Sequence, residues 1–428
     1  MNILKNILLG LLLLFTVFFI CRCLMALGAV IFDSHIRFRA QQREAFLRPQ
    51  RDRRYMPLSV LVMAGTEPQA LLATLDSLQK QAYPLYEIIV LEDCMKDSDV
   101  QALTEQLELL PLPQPVRRQL KCTPETAIYE SGKLPLRLVR RPKTCLGDAW
   151  NLGINIARYP YFACIRAGMQ LDAYGLDTLM GPFFQHRDTM ATGGSIQKAS
   201  SARPSSLTTL ENLEYDRSIP AMQVLLHSKT LLLFGGPSAY RKDTVIEVGG
   251  FPARDDGLDP GLTLTLQRHC RKKGQSCRIV YVPEAKGVLP PSDTFPQVLT
   301  RRRSWQEGMK LAMKDNAELL CLYRFGGGTL QYLLFLVFSL WTPLLSMVGA
   351  LIVLICLFLG LLDNGLLLQI VILSFLFKLF LSLSVFRSRT EKVSLSPRFL
   401  PRVLLLWLQG NTLYRLRITI ARIRGLFA

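Results

Sequence analysis

Four polar groupings follow short apolar runs in this chain: Thr66-Glu67, Glu92-Asp93, Arg140-Arg141 and Arg166. The runs before them are Leu58–Met63, Tyr86–Leu91, Leu136–Val139 and Tyr161–Ile165. Carboxylates accept hydrogen bonds from sugar hydroxyls or base edges, and arginines clamp phosphates bidentately. Converging at one place, these groups suit a ligand that joins a base or sugar to phosphates. Taken singly, each is no more than the polar start of a loop.

Convergence depends on the elements that carry them. The four runs are short and rich in β-branched residues, as strands are. Between them the apolar residues recur at helical spacing: Leu71, Leu75 and Leu78, then Val100, Leu103, Leu107 and Leu110, with Asp97 or Ser98 as N-cap. Residues 147–158 also have a helical pattern. Alternating strands and helices predict an α/β domain with a mostly parallel sheet. Right-handed crossovers then gather the strands' carboxyl ends on one side, where ligands bind.

Composition limits the alternatives. The 428 residues are 50% hydrophobic and 20% charged, with a net charge of +18. That is too apolar for a disordered basic tail and too charged for a mere bundle of spans. Apolar blocks occupy residues 6–32, 330–362 and 365–386. The first exceeds a signal-peptide core, and an uncleaved span is expected there; a signal peptide is the competing reading. In the second, Leu330–Trp341 is expected as an interfacial helix and Leu344–Leu362 as the span. Arginines crowd residues 37–54, and basic residues follow from Arg387 to Arg402. Positive flanks stay cytoplasmic, so the middle of the chain is expected in the cytoplasm and the protein in a bacterial inner membrane. The tail spaces Leu416, Ile420 and Ile423 helically among Arg415, Arg417, Arg422 and Arg424. It reads as a basic helix on anionic lipid. No zinc-finger spacing or aromatic RNA-binding run occurs, so lipid rather than nucleic acid accounts for the charge. The ten cysteines include no CxxC pair and read as reduced thiols. The expected divisions are a transmembrane segment at 1–36, a basic linker at 37–56, an α/β domain at 57–325, an interfacial helix with two spans at 326–390, and a basic amphipathic segment at 391–428.

Several segments together resemble the family 2 glycosyltransferases, in particular the membrane-embedded processive kind that makes cellulose, chitin, hyaluronan or poly-N-acetylglucosamine. They are Leu58–Glu67, Tyr83-Pro84 with Glu87–Asp93, Asn151-Leu-Gly153, Ser238–Lys242, Val248-Gly-Gly-Phe251, Arg278–Pro283 and Arg301-Arg-Arg-Ser-Trp305 with Gly308. The resemblance spans about residues 57–310. It implies a GT-A-like domain flanked by transmembrane and interfacial helices. It also implies inverting transfer of a sugar from a nucleotide diphosphate donor, expected to be UDP-linked, to a growing glycan. Anionic lipid and other polysaccharide synthase or export subunits are further expected partners.

Carried over residue by residue, the resemblance makes Asp259 the general base. Thr66, Glu67, Glu92, Asp93 and Arg166 fall at the nucleotide-sugar site. Trp305 matches the aromatic that stacks on the acceptor, and Arg301, Arg302 and Arg303 are expected to contact the diphosphate. Asn151 and Gly153 are expected to be structural. The family's Mg2+ or Mn2+ site needs a DxD pair, and Arg166-Ala-Gly168 stands in its place. Leu258 replaces the Glu of the family's TED motif, and Arg301 and Ser304 replace the Gln and Arg of its QxxRW motif. Two readings follow. Either arginines supply the charge that a metal supplies elsewhere, or the domain keeps the fold as a non-catalytic scaffold of a polysaccharide synthase complex.

Overall fold

The computed structural model describes residues 6–24, 55–112, 115–199, 206–212, 214–215, 235–291, 294–320, 340–361 and 413–428, with a few isolated positions besides. The arginine-rich stretch 37–54, residues 321–336 and the basic flank from Arg387 to Arg402 lie outside the described residues, as does nearly all of the block 365–386.

Among the described residues, helix α1 (Asn6–Leu24) is the one helix long and apolar enough to cross a membrane. Its place near the N-terminus also fits a signal sequence. The α/β domain then runs β1 (Leu58–Met63), α2 (Pro68–Gln79), β2 (Tyr86–Glu92), α3 (Asp97–Gln106), β3 (Leu109–Pro111), β4 (Ala127–Ser131) and β5 (Leu136–Arg140). It continues through α4 (Leu146–Ile156), β6 (Tyr161–Arg166), β7 (Gln170–Leu171), α5 (Gly175–Gln185), β8 (Thr189–Lys198) and β9 (Ser238–Arg241). Then come α6 (Lys242–Glu247), α7 (Leu258–Lys272), β10 (Arg278–Leu289) and α8 (Phe295–Asp315). Helices α9 (Thr342–Phe358) and α10 (Leu413–Phe427) follow.

Among the described residues, ten strands form one sheet in the order β3-β4-β5-β2-β1-β6-β9-β8-β10-β7. Its centre, β5-β2-β1-β6, is parallel, as expected. The whole is not mostly parallel, and here the sequence expectation is corrected. Strands β3, β4, β7 and β9 each pair antiparallel, so the sheet is mixed. The short turn from Ser131 to Leu136 allows no crossover and forces β4 and β5 antiparallel.

The parallel strands are apolar on both sides because both sides are covered. Val60, Val62, Ile88 and Val90 face a core closed by Leu71, Leu75 and Leu78 of α2 and by Leu176, Leu179 and Phe183 of α5. Leu61, Ile89 and Leu91 face a second core with Trp150, Leu152 and Ile154 of α4 and Leu262 and Leu266 of α7. The carboxyl ends do gather: Met63 pairs with Arg166, and Glu92 with Arg140. The helical spacing extended from Val100 to Leu110, but α3 stops at Gln106. Glu108 takes a positive φ of 49°, which ends the helix and starts β3.

Candidate active site

Asp259 lies in the first turn of α7. Its Oδ2 accepts a hydrogen bond from the Gly235 amide at 2.9 Å, and its Oδ1 accepts one from the Tyr240 hydroxyl at 2.9 Å. Burial raises this carboxyl above its ordinary range, against the pull of Arg166 and of these two donors. Burial and the Asp259 charge likewise hold the Tyr240 phenol well above its ordinary value, so Tyr240 stays a donor. Arg166 is exposed at the carboxyl end of β6, and no carboxylate among the described residues is in ion-pair contact with it.

The sequence reading missed a second acid. Burial, with Asp255 and Glu307 adding, raises the Asp256 carboxyl, while Arg166 pulls it down. Three carboxylates within five residues, Asp255, Asp256 and Asp259, were the available signal. The backbone holds this stretch firmly. Asp255 accepts from the Leu146 amide at 2.8 Å and so caps α4, and the Gly147 amide donates to the Arg254 carbonyl at 3.0 Å. Gly257 has φ +69° and touches Gly308 of α8, where a Cβ on either residue would collide with the other's backbone. That contact brings Glu307 beside Asp256.

The Asn-x-Gly and Val-Gly-Gly-Phe segments meet here as well. Asn151 Nδ2 donates to the Phe251 carbonyl at 2.9 Å, and its Oδ1 accepts the Phe251 amide at 2.8 Å. A buried amide thus pairs with one residue's backbone as a neighbouring strand would. Asn151→Ala leaves two buried backbone groups unsatisfied, and each costs about 1–3 kcal/mol. We expect a clear fall in the thermal unfolding midpoint; an unchanged midpoint would contradict this pairing.

At the other strand ends, Thr66 and Glu67 are exposed. Glu92 is buried, pairs with Arg140 at 3.2 Å and accepts the Met95 amide at 2.7 Å. The Asp93 carboxylate is also enclosed, 3.7 Å from Arg141, whose Nη2 reaches Asp148 at 2.8 Å. Arg141 is fully buried, yet its Nε and Nη1 have no hydrogen-bond partner. Nη1 instead makes the longer ion-pair contact with Asp93.

The arginines of α8 are placed differently from Arg166. Arg301 pairs with the buried Glu211 at 3.1 Å. Arg302 pairs with Glu214 at 2.9 Å and lies 4.7 Å from the Tyr215 ring centroid. Arg303 is exposed. Trp305 packs against a small cluster of Leu264, Met309, Met313, Leu340 and Leu426, with the Arg422 guanidinium 5.3 Å from its ring centroid. The fold therefore gathers Arg166, Asp256, Asp259 and Glu307. Asp93 and Arg141 form a second group at the end of β2, and the half-buried Trp305 packs on one side against α10.

The end of β6 does not fit a divalent cation. Its first position is cationic and its third, Gly168, has no side chain, whereas Mg2+ and Mn2+ take carboxylate oxygens. Among the described residues, no three His, Cys, Asp or Glu side chains converge in a way that could hold a metal.

These features define an α/β domain of GT-A type. Residues 59–249 match the family model for glycosyl transferase family 2. Among solved structures, the chain is similar to the mannosyltransferase PcManGT from Pyrobaculum calidifontis, in complex with GDP-Man and Mn2+. That likeness has a TM-score of 0.53 and 16% identity, over 95% of this chain and 99% of that one. The S. aureus protein TarS, residues 1–349 in complex with UDP-GlcNAc, aligns at a TM-score of 0.43 and 14% identity, over 87% of this chain and 89% of that one. No curated protein matches the chain.

Proposed function

We propose that this chain is a membrane-bound family 2-like glycosyltransferase, which moves a sugar from a nucleotide diphosphate donor to a hydroxyl of a growing glycan. The observation that carries the proposal is the half-buried Asp259 carboxyl, hydrogen-bonded by Tyr240 and the Gly235 amide, raised by its surroundings and drawn down by Arg166 at the carboxyl end of β6. A base with a raised pKa is matched to taking a proton near neutral pH.

In this reading the donor lies along the strand ends. Thr66, Glu67 and the Glu92-Asp93 pair serve the base and ribose, with the buried Arg141 behind Asp93. Arg166 holds the diphosphate. Its charge offsets the negative charge that develops on the leaving phosphate as the glycosidic C–O bond breaks. Asp259 takes the proton of the acceptor hydroxyl as that oxygen bonds to the anomeric carbon, which gives inversion. Trp305 flanks the acceptor, and Arg303 extends the positive field, with Arg301 and Arg302 held behind it by Glu211 and Glu214. The GDP-Man and UDP-GlcNAc of the similar structures favour a nucleoside diphosphate donor, and we take a UDP-sugar as the first candidate. The family's Mg2+ or Mn2+ finds no fitting ligands at β6, and we assign its charge to Arg166. Helix α1 and the apolar α9 support the membrane part of this reading, in which the α/β domain is assigned to the cytoplasmic side. Anionic lipid and other synthase or export subunits are the proposed partners.

The enclosed Glu92 and Asp93 favour a second reading, a non-catalytic scaffold of a polysaccharide synthase complex. The purified chain, offered a panel of UDP- and GDP-sugars with a glycan acceptor, is expected to release nucleoside diphosphate. No release with any donor, combined with co-purification of an active synthase, supports the scaffold instead.

A further inference from the structure

Helix α10 has two opposite apolar faces, and among the described residues only one is packed against the rest of the chain. Ile418, Ala421, Gly425 and Leu426 are buried. Gly425 lies so close to the Arg303 carbonyl of α8 that a Cβ would collide with it. Arg422 Nε donates to Gln306 Oε1 at 2.8 Å, so α10 is seated on the same turn of α8 that carries Trp305.

At about 100° per residue, Leu416, Ile420, Ile423 and Phe427 form a stripe on the side opposite that seam. Leu416 is 53% exposed, Ile420 38% and Phe427 71%. Arg417 and Arg424, both exposed, run along one edge of the stripe. The helix contains no acidic residue. It also sits where the apolar helices end: Leu340, just before α9, packs in the cluster that contains Leu426, and Arg22 near the end of α1 donates to Ser346 of α9 at 3.1 Å. An apolar stripe edged by arginines, level with the ends of apolar helices, has the charge and shape of an interfacial helix.

We propose that the outer face of α10 docks on the anionic surface of a lipid bilayer. The docked helix seats α8, and with it Trp305 and the acceptor end of the site, at headgroup level. This inference rests on the membrane part of the proposed function and not on catalysis.

The test uses the full chain in nanodiscs of phosphatidylcholine, with or without phosphatidylglycerol. The photo-cross-linker p-benzoylphenylalanine is placed at position 420, and in a separate variant at position 416. Mass spectrometry of the irradiated protein is expected to show lipid adducts at both positions, enriched in phosphatidylglycerol. Arg417→Gln with Arg424→Gln is expected to lower that enrichment by about fivefold per arginine removed. A cross-linked dimer would assign the face to a second copy, and absence of lipid adducts would assign it to solvent; either overturns the docking alone. A chain that leaves the nanodisc fraction overturns the membrane reading as well.

Discussion

Asp259→Asn is expected to lower turnover by about 10²–10⁴-fold, the usual contribution of a positioned general base. Donor binding should survive, because the new amide fits the old contacts. Its oxygen accepts the Gly235 amide, and its nitrogen donates to the Tyr240 hydroxyl, which can accept as well as donate. Stability should move the other way. Burial raises the Asp259 carboxyl in the folded chain, so the fold favours its protonated form. The stability this group contributes is full below its unfolded pKa and is lost as pH rises through its raised folded value. Asparagine never takes the charge, so the variant should match or exceed the parent's unfolding midpoint at neutral pH. In the parent, activity should climb with pH through the same raised value, because the base works deprotonated. A pH–rate profile with a limb in the ordinary carboxylate range, or full turnover in the variant, would show that Asp259 is not the base.

Arg166→Ala is expected to cost about 10²–10³-fold in kcat/KM, as the loss of a charge-stabilising donor does elsewhere. The effect should be larger on donor affinity than that of neutralising Arg301 or Arg302. Those two already answer Glu211 and Glu214, whereas Arg166 stands exposed at the strand end with Asp256 and Asp259 as its electrostatic neighbours. Arg166→Lys should recover only part, since an ammonium keeps the charge but loses the planar fork that grips two phosphate oxygens. Steady-state kinetics and donor titration on the three proteins check this. Equal kcat/KM in Arg166→Ala and the parent would remove Arg166 from the site. If the chain is a scaffold, both Asp259→Asn and Arg166→Ala strains keep full polymer output.

The central strands were legible because β1, β2, β5 and β6 are covered on both faces and so read as continuous β-branched runs. The mixed rim was not. Strand β8 contains Gly193 and Gly194, a residue type disfavoured in strands, yet Gly194 is needed where the Ala285 backbone crosses closely. Strands β3 and β4 sit at the sheet edge, where polar residues are tolerated and periodicity fades. At the site, the positions of Asp259 and Arg166 could be named from the motifs, but their meeting joins residues far apart in sequence. The same distance hid the pairing of Arg301 with Glu211 and of Arg302 with Glu214, so three adjacent arginines looked equally free. In α10 the spacing of Leu416, Ile420 and Ile423 was plain. The opposite seam was not, because Ala421 and Gly425 are small and carry little apolar signal.

The most direct test of the account is a calorimetric titration of the purified chain with UDP and GDP in the presence of EDTA, beside Arg166→Ala. The account predicts saturable binding of one nucleotide by the parent in EDTA and its loss in the variant. Binding that appears only when Mn2+ or Mg2+ is restored, or no binding of either nucleotide under any condition, would contradict it.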